Sequence, residues 1–383
     1  MNKESPPLHV VSVLTTHAAG GAEYAAVDML DALAGRGARV RLLTNRVSLV
    51  EGTNVEAVAI DLGPKLRQRT LARVAVQTPV SLGRLVGAVR REARSAPVDV
   101  LLLHYKKEQL LSVLLPRTLA SAVVWAEWGP LPVQMRSGLP RHAYAIASRA
   151  ARAVVAESEG TARSLVQAGV PAAKIVVIPN VLDDGRLAFD ADARARRRRA
   201  WGWEKAFVLG CISRLDPAKR LDVVIDALEH LDEQVVLVLA GDGEAEAALR
   251  QRADRYGPRV RFVGGARGRI AELLSACDVQ VYAPGPSEGA ARAVSFGQLV
   301  GLPVVATAPE GARDLVAPGT GTIVSPAHDA RALARTIQAY SGDRSRLAAE
   351  GAAGRRLALR RIEEADALAT LESVLRGVSR ADA

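Results

Sequence analysis

Two doubly wound α/β domains, each a parallel sheet flanked by helices on both faces, are what this sequence predicts, on three observations. Short apolar runs of the fully buried strand type alternate with helical segments along the chain. The alternation stops once, over the polar and non-periodic stretch Asn180–Asp192, and then starts again. The 383 residues also suffice for two domains of roughly 180 residues each.

In the first series His9–Leu14 reads as a buried strand, the Gly-containing turn Ala18–Gly21 follows, and Ala22–Ala34 is a helix ended by Gly35 and Gly37. Arg39–Leu43, Val98–Leu103, Ala122–Ala126 and Ala153–Ala156 continue as strands. In the second series the strands are Phe207–Ile212, Val235–Ala240, Val260–Val263, Val279–Tyr282 and Pro303–Ala306. Helices Leu221–Leu231, Ala245–Tyr256, Arg269–Ala276 and Ala291–Val300 lie between them. The boundary falls near Asp183: residues 1–182 form an N-terminal domain joined by a C-terminal helix over 361–383, and residues 183–360 form the second domain. Ligands of such sheets bind outside the carboxyl ends of the strands, so two of them on a short linker make a cleft where strand ends face each other.

Composition narrows the function. The chain is 49% hydrophobic and 24% charged, as a globular protein is. Its two cysteines, Cys211 and Cys277, have no metal-ligand spacing and read as buried free thiols of a reducing cytoplasm. Met1–Pro7 is polar and lacks the apolar core of a signal peptide, and no run reaches the ~18 apolar residues that span a bilayer. The net charge of +10 suits a phosphate-bearing substrate or an anionic membrane surface. Aromatics are only 4%, and no basic stretch is interleaved with stacking rings, which argues against nucleic acid. Lys65–Arg94 reads as a solvated basic helix face, peripheral membrane contact being its alternative use, and Arg194–Arg199 as an exposed loop or helix start.

The strongest local signal is Gly210–Lys219. A buried strand ends at Ser213, and Arg214 and Lys219 project from the loop and first helical turn beyond it. Arg offers a planar fork and Lys a point charge, a pairing suited to a diphosphate. Cations at a helix N-terminus oppose its dipole, so they need such a reason. The second signal is Pro286–Ala291, between a strand and the next helix. Small residues at Gly289, Ala290 and Ala291 let backbone N–H groups approach a phosphate, and Glu288 can accept from sugar hydroxyls. N-capping by Ser287 or Glu288 is the structural alternative.

With these motifs the chain resembles family 4 of the glycosyltransferases, retaining enzymes of GT-B fold, in which two Rossmann-like domains face each other across a cleft. The resemblance runs through Gly20-Gly21-Ala22-Glu23, Ile178-Pro179-Asn180, Ser213–Lys219, Ala240–Gly243, Glu288-Gly289 and Gly301–Thr307. It implies that Arg214 and Lys219, beside Ser213 and Gly241, neutralise a donor diphosphate. It further implies that Gly20 and Gly21 close over phosphate and acceptor. Glu288 would meet the donor sugar, and the backbone of Gly289, Ala290 and Ala291 the distal phosphate. The implied co-substrate is a UDP- or GDP-linked sugar, with no cofactor and no metal. The implied acceptor is a small, sugar-containing molecule such as a natural product, or a lipid-linked one.

Two positions depart from the family pattern. Eight residues after Glu288, where the family has a second glutamate that holds the ribose, stands Phe296, which cannot accept hydroxyl bonds. At a strand end where members often carry histidine stands Glu127, framed by Trp125 and Trp128. Glu127 and Trp128 are therefore candidates for acceptor or sugar contact, with His104 on the preceding strand end and His17 beside the glycine loop. Packing roles compete with function for all four. Asp314 reads as a structural cap. Two other functions use the same architecture: a sugar-nucleotide epimerase, and a non-catalytic binding subunit, which Phe296 favours.

Overall fold

The structure is a computed structural model describing residues 6–16, 19–63, 71–179, 187–285, 292–307 and 310–380. It divides into two compact units, Met1–Leu182 with Ala365–Ala383, and Asp183–Glu364. Each is built on one all-parallel sheet.

The first sheet contains β1 (His9–Leu14), β2 (Arg39–Thr44), β3 (Glu56–Ala59), β4 (Val100–Leu103), β5 (Ala122–Glu127), β6 (Ala153–Ala156) and β7 (Ile175–Val177), in the order β3-β2-β1-β4-β5-β6-β7. Its strands are apolar at successive positions because both faces are covered. Val11, Val13, Leu101, Leu103 and Trp125 feed the core on one face. Their neighbours Val10, Leu14, Val100, Leu102 and Val124 feed the core on the other. Helix Gly21–Gly35 packs on that second face, as does the C-terminal helix Ala367–Arg380 through Ala367, Leu371 and Leu375. The order reverses between β1 and β4, which marks the carboxyl ends of these two strands as the switch point where such sheets take ligands.

The second sheet contains β8 (Phe207–Ile212), β9 (Val235–Ala240), β10 (Val260–Phe262), β11 (Val279–Tyr282), β12 (Val304–Thr307) and β13 (Gly321–Val324), in the order β10-β9-β8-β11-β12-β13. Its switch point lies between β8 and β11. Leu209, Cys211, Leu237, Leu239 and Val281 line one face, and Val208, Val236 and Val238 the other. Cys211 and Cys277 are free and buried, and burial pushes the Cys277 thiol up to about 12.

The structure adds three edge or near-edge strands to the predicted set, β3, β7 and β13. The basic run is also different from its expectation. Arg194 and Arg198 lie on helix Ala191–Trp201, and Arg198 is buried. Arg194 Nη2 and Arg198 Nη2 each donate to Asp278 at 2.6 Å, and Arg198 Nε donates to the Ala276 carbonyl at 2.9 Å. Asp278 also accepts from the Val208 amide at 2.8 Å. The run thus clamps its helix to the amino ends of β8 and β11, away from the strand ends that take ligands.

Candidate functional site

At the carboxyl end of the second sheet, the loop after β8 is stitched to the loop after β9. Ser213 N donates to Ala240 O at 3.1 Å, Leu215 N to Asp242 O at 2.9 Å, and Ala245 N to Leu215 O at 2.9 Å. The approach requires glycine. A Cβ on Gly241 would lie 1.8 Å from Ser213 O, and one on Gly243 2.2 Å from Leu215 O. Asp216 then starts a short helical turn, Pro217–Lys219. Its carboxylate accepts from Ala218 N at 2.9 Å, and its carbonyl accepts from Lys219 N at 2.9 Å. Gly285 N, in the loop after β11, donates to Ala218 O at 2.7 Å, so the turn bearing Lys219 is held from both sides of the switch point. Arg214 projects from this frame with 42% of its side chain exposed, and its protein partner is Asp216 at 3.4 Å. Such an open pair contributes little in water and leaves the guanidinium available to a stronger anion.

Glu288, Gly289, Ala290 and Ala291 lie outside the described residues. Phe296 is described. It is buried in helix Arg292–Val300, within the apolar cluster that includes Trp203, Val208, Leu274 and Val300, and the Arg292 guanidinium sits 5.0 Å from its ring centroid. The ring at this position therefore has a packing role.

The carboxyl end of the first sheet is acidic, and its carboxylates are held by protein donors. Thr15 follows β1 and donates from its amide and hydroxyl to Glu108 Oε1, at 2.7 and 2.5 Å, while Tyr105 N donates to Oε2 at 3.1 Å. Thr16 Oγ1 donates to Glu23 at 2.9 Å, and the Tyr105 hydroxyl donates to the same oxygen. Glu23 and Glu108 thus fix the base of the loop that leads to Gly20 and Gly21. Gly20, in extended conformation, starts helix Gly21–Gly35 without a side-chain cap. Burial pushes the Glu108 carboxyl up to about 7, against the pull of the Thr15 and Tyr105 donors. His17 lies outside the described residues.

His104 is buried, and both ring nitrogens are engaged. Trp128 Nε1 donates to Nδ1 at 2.9 Å, and the other nitrogen is 2.7 Å from Ser12 Oγ. An indole only donates, so Nδ1 is the acceptor and Nε2 carries the proton. Burial pushes this ring down to about 3, so it is neutral. His104 and Trp128 stack at 5.7 Å and wall a small apolar cavity with Met29, Leu30, Leu102 and Leu371.

Glu127 ends β5 and is buried. Lys106, at the start of helix Lys106–Ser112, pairs with its Oε2, and the Tyr144 hydroxyl donates to its Oε1. Lys106 Nζ also donates to the Tyr144 hydroxyl at 3.1 Å. Lys106 and Tyr144 were not foreseen from sequence. Both come from elements remote in the chain from Glu127, and the only available hint was a lysine placed against a helix dipole.

Two family models between them match most of the chain. The family model "Glycosyltransferase Family 4" matches residues 19–186, and "Glycosyl transferases group 1" matches residues 193–356. The chain is similar to a GDP-mannose-dependent alpha-(1-6)-phosphatidylinositol monomannoside mannosyltransferase of Mycolicibacterium smegmatis. The two are 34% identical over 246 residues, 61% of this chain and 62% of that protein. A D-inositol 3-phosphate glycosyltransferase of Xylanimonas cellulosilytica is 32% identical over 239 residues, 59% of this chain and 57% of that protein. The chain therefore spans about 60% of the length of these relatives. In fold it is similar to Anabaena Alr3699/HepE, solved in complex with UDP-glucose, at a TM-score of 0.80 and 24% identity, covering 96% of this chain and 99% of that one. This likeness and the two parallel sheets make the fold GT-B.

Proposed function

Because this chain belongs to family 4 of the glycosyltransferases, we propose that it moves a sugar from a nucleotide-sugar donor to a hydroxyl of a small-molecule or lipid-linked acceptor, with retention of anomeric configuration. The observation that carries this reading is the frame around Arg214 and Lys219. The β8, β9 and β11 loops are bonded to one another, and an exposed guanidinium stands at the sheet's switch point. The mannosyltransferase relative is named for GDP-mannose and the Anabaena structure holds UDP-glucose, which supports a nucleoside diphosphate sugar, GDP- or UDP-linked, as donor.

As the anomeric bond breaks, charge builds on the departing diphosphate. Arg214 and Lys219 stabilise it, joined by the backbone of Gly289, Ala290 and Ala291, while Glu288 holds the donor sugar. Ser213 and Gly241 set the position of Arg214. On the first unit the Gly20-Gly21 turn is assigned to phosphate and acceptor contact, and Trp128, His17 and the cluster around Glu127 to the acceptor; His104, buried with both ring nitrogens engaged, leaves that set and serves to fix Trp128. The acceptor attacks from the face the nucleotide leaves, a donor phosphate oxygen takes its proton, and no metal is needed. The reaction belongs in the cytoplasm, at the membrane face if the acceptor is lipid-linked. Among the described residues no helix is long and apolar enough to cross a membrane.

The test is to follow GDP-mannose and UDP-glucose by NMR with and without candidate acceptors such as myo-inositol and D-inositol 3-phosphate. An α-linked product that requires acceptor is expected. Interconversion of the donor without acceptor identifies an epimerase instead. A non-catalytic subunit would turn over neither donor. Phe296, a core ring where a hydroxyl acceptor would stand, is the feature that favours that second reading.

A further inference from the structure

We propose that Lys106 is the residue through which the carboxyl end of the first sheet holds the acceptor, its ammonium donating to a hydroxyl oxygen of a neutral polyol ring. This rests on the reading of that sheet end as the acceptor side.

The argument starts from Glu127, the acid that sequence reading singles out. Its side chain is 3% exposed, and its two oxygens are engaged, one by Lys106 and one by the Tyr144 hydroxyl. At that exposure the carboxylate faces its protein partners and not a ligand. Lys106 is the least buried member of the cluster, its side chain 18% exposed. An ammonium has three N–H groups. Two are directed at Glu127 and Tyr144, and the Tyr144 ring lies 4.7 Å from the nitrogen. The third has no partner among the described residues. The side chain is thus pinned with one donor unassigned, next to the switch point between β1 and β4.

A cation in the first turn of a helix opposes the dipole, and burial disfavours the charged form of Lys106. Glu127 offsets both effects, and so acts as the positioning residue of the pair.

Local charge selects the ligand. Lys106 and Glu127 cancel. The other ionisable groups packed around this end include Glu23 and Glu108, Glu157, whose amide donates to the Glu127 carbonyl at 3.1 Å, the neutral His104, and Lys107, whose ammonium donates to the Leu62 carbonyl. Among the described residues this leaves no surplus of positive charge to neutralise a phosphate, whereas a hydroxyl needs only a donor. Trp128, half-buried and fixed by His104, supplies an apolar ring next to Glu127 for the C–H face of a hexose or cyclitol.

Saturation-transfer NMR on the full chain with GDP present tests this, using methyl α-D-mannopyranoside and myo-inositol as neutral probes and D-inositol 3-phosphate as the anionic arm. Wild type is expected to bind a neutral probe. Lys106→Met combined with Glu127→Gln removes both charges together, leaving no unpaired ion, and is expected to weaken that binding about tenfold or more. Tyr144→Phe, which keeps the ion pair, is the milder companion and is expected to weaken it roughly two- to fivefold. Unchanged polyol affinity in both variants overturns the proposal, as does a wild type that binds only the phosphorylated probe or no probe at all. The GDP-induced thermal shift is recorded alongside. Its absence in wild type counts against the donor reading, not against Lys106.

Discussion

The two sheets share a topology, each reversing its strand order once, but their carboxyl ends are chemically opposite. After β8 the second unit raises Arg214 into solvent on loops held almost entirely by backbone hydrogen bonds. After β1, β4 and β5 the first unit buries Glu23, Glu108 and Glu127 and satisfies them with Thr15, Thr16, Tyr105, Lys106 and Tyr144. An exposed cation on a rigid frame awaits an anion. Buried acids paired within the protein hold hydroxyl and amide donors in place and lower the local demand for charge. The contrast suits the proposed function, which assigns phosphate to one sheet end and polyol to the other.

The contrast breaks most severely if the cations go. Arg214→Ala with Lys219→Ala removes two charge-assisted bonds of about 1.5–3 kcal/mol each, so kcat/KM on GDP-mannose or UDP-glucose should fall roughly 10²- to 10⁴-fold. The amino end of the same sheet is the control. Asp278→Ala strands the buried Arg198 and should cost about 3–5 kcal/mol in urea unfolding of the second unit, with no direct effect on nucleotide contacts.

A pH series sharpens the acidic side. The Glu108 carboxyl is raised from 4.5 to about 7 in the folded protein, so the folded state favours the proton. Its stabilising contribution is full below about pH 4.5 and is lost as pH rises through about 7, by up to roughly 3 kcal/mol. The stability difference between wild type and Glu108→Gln, measured from pH 4 to 8, should trace that curve. The smallest effect is expected at Phe296. Phe296→Leu should cost on the order of 1 kcal/mol in stability and leave nucleotide affinity unchanged, as measured by calorimetry.

How much of this is legible in sequence depends on whether a feature is local. β8 and β9 are six-residue runs without a charged side chain, β11 is a four-residue run with Gln280 as its one polar member, and the limits of all three are readable to the residue. β3, β7 and β13 are three or four residues long and half-exposed, too short to show a period. The spacing of Arg214 and Lys219 is likewise local, and with Gly241 and Gly243 it marks the bonded loops to which the proposal assigns phosphate. Lys106, Glu127 and Tyr144 meet from three elements, and Asp278 lies 80 residues from Arg198. Pairings at such separations carry no sequence pattern, which is why the basic run reads as solvated and Glu127 reads as open.

Thermal shift of the wild-type chain and of Arg214→Ala/Lys219→Ala, against UDP, GDP, ADP, dTDP and the matching monophosphates, bears most directly on the phosphate frame. One diphosphate should stabilise the wild type clearly more than its monophosphate, and the double variant should lose that difference. Stabilisation by no nucleotide, or an equal shift in the double variant, would contradict the assignment of the second sheet's carboxyl end to a nucleoside diphosphate.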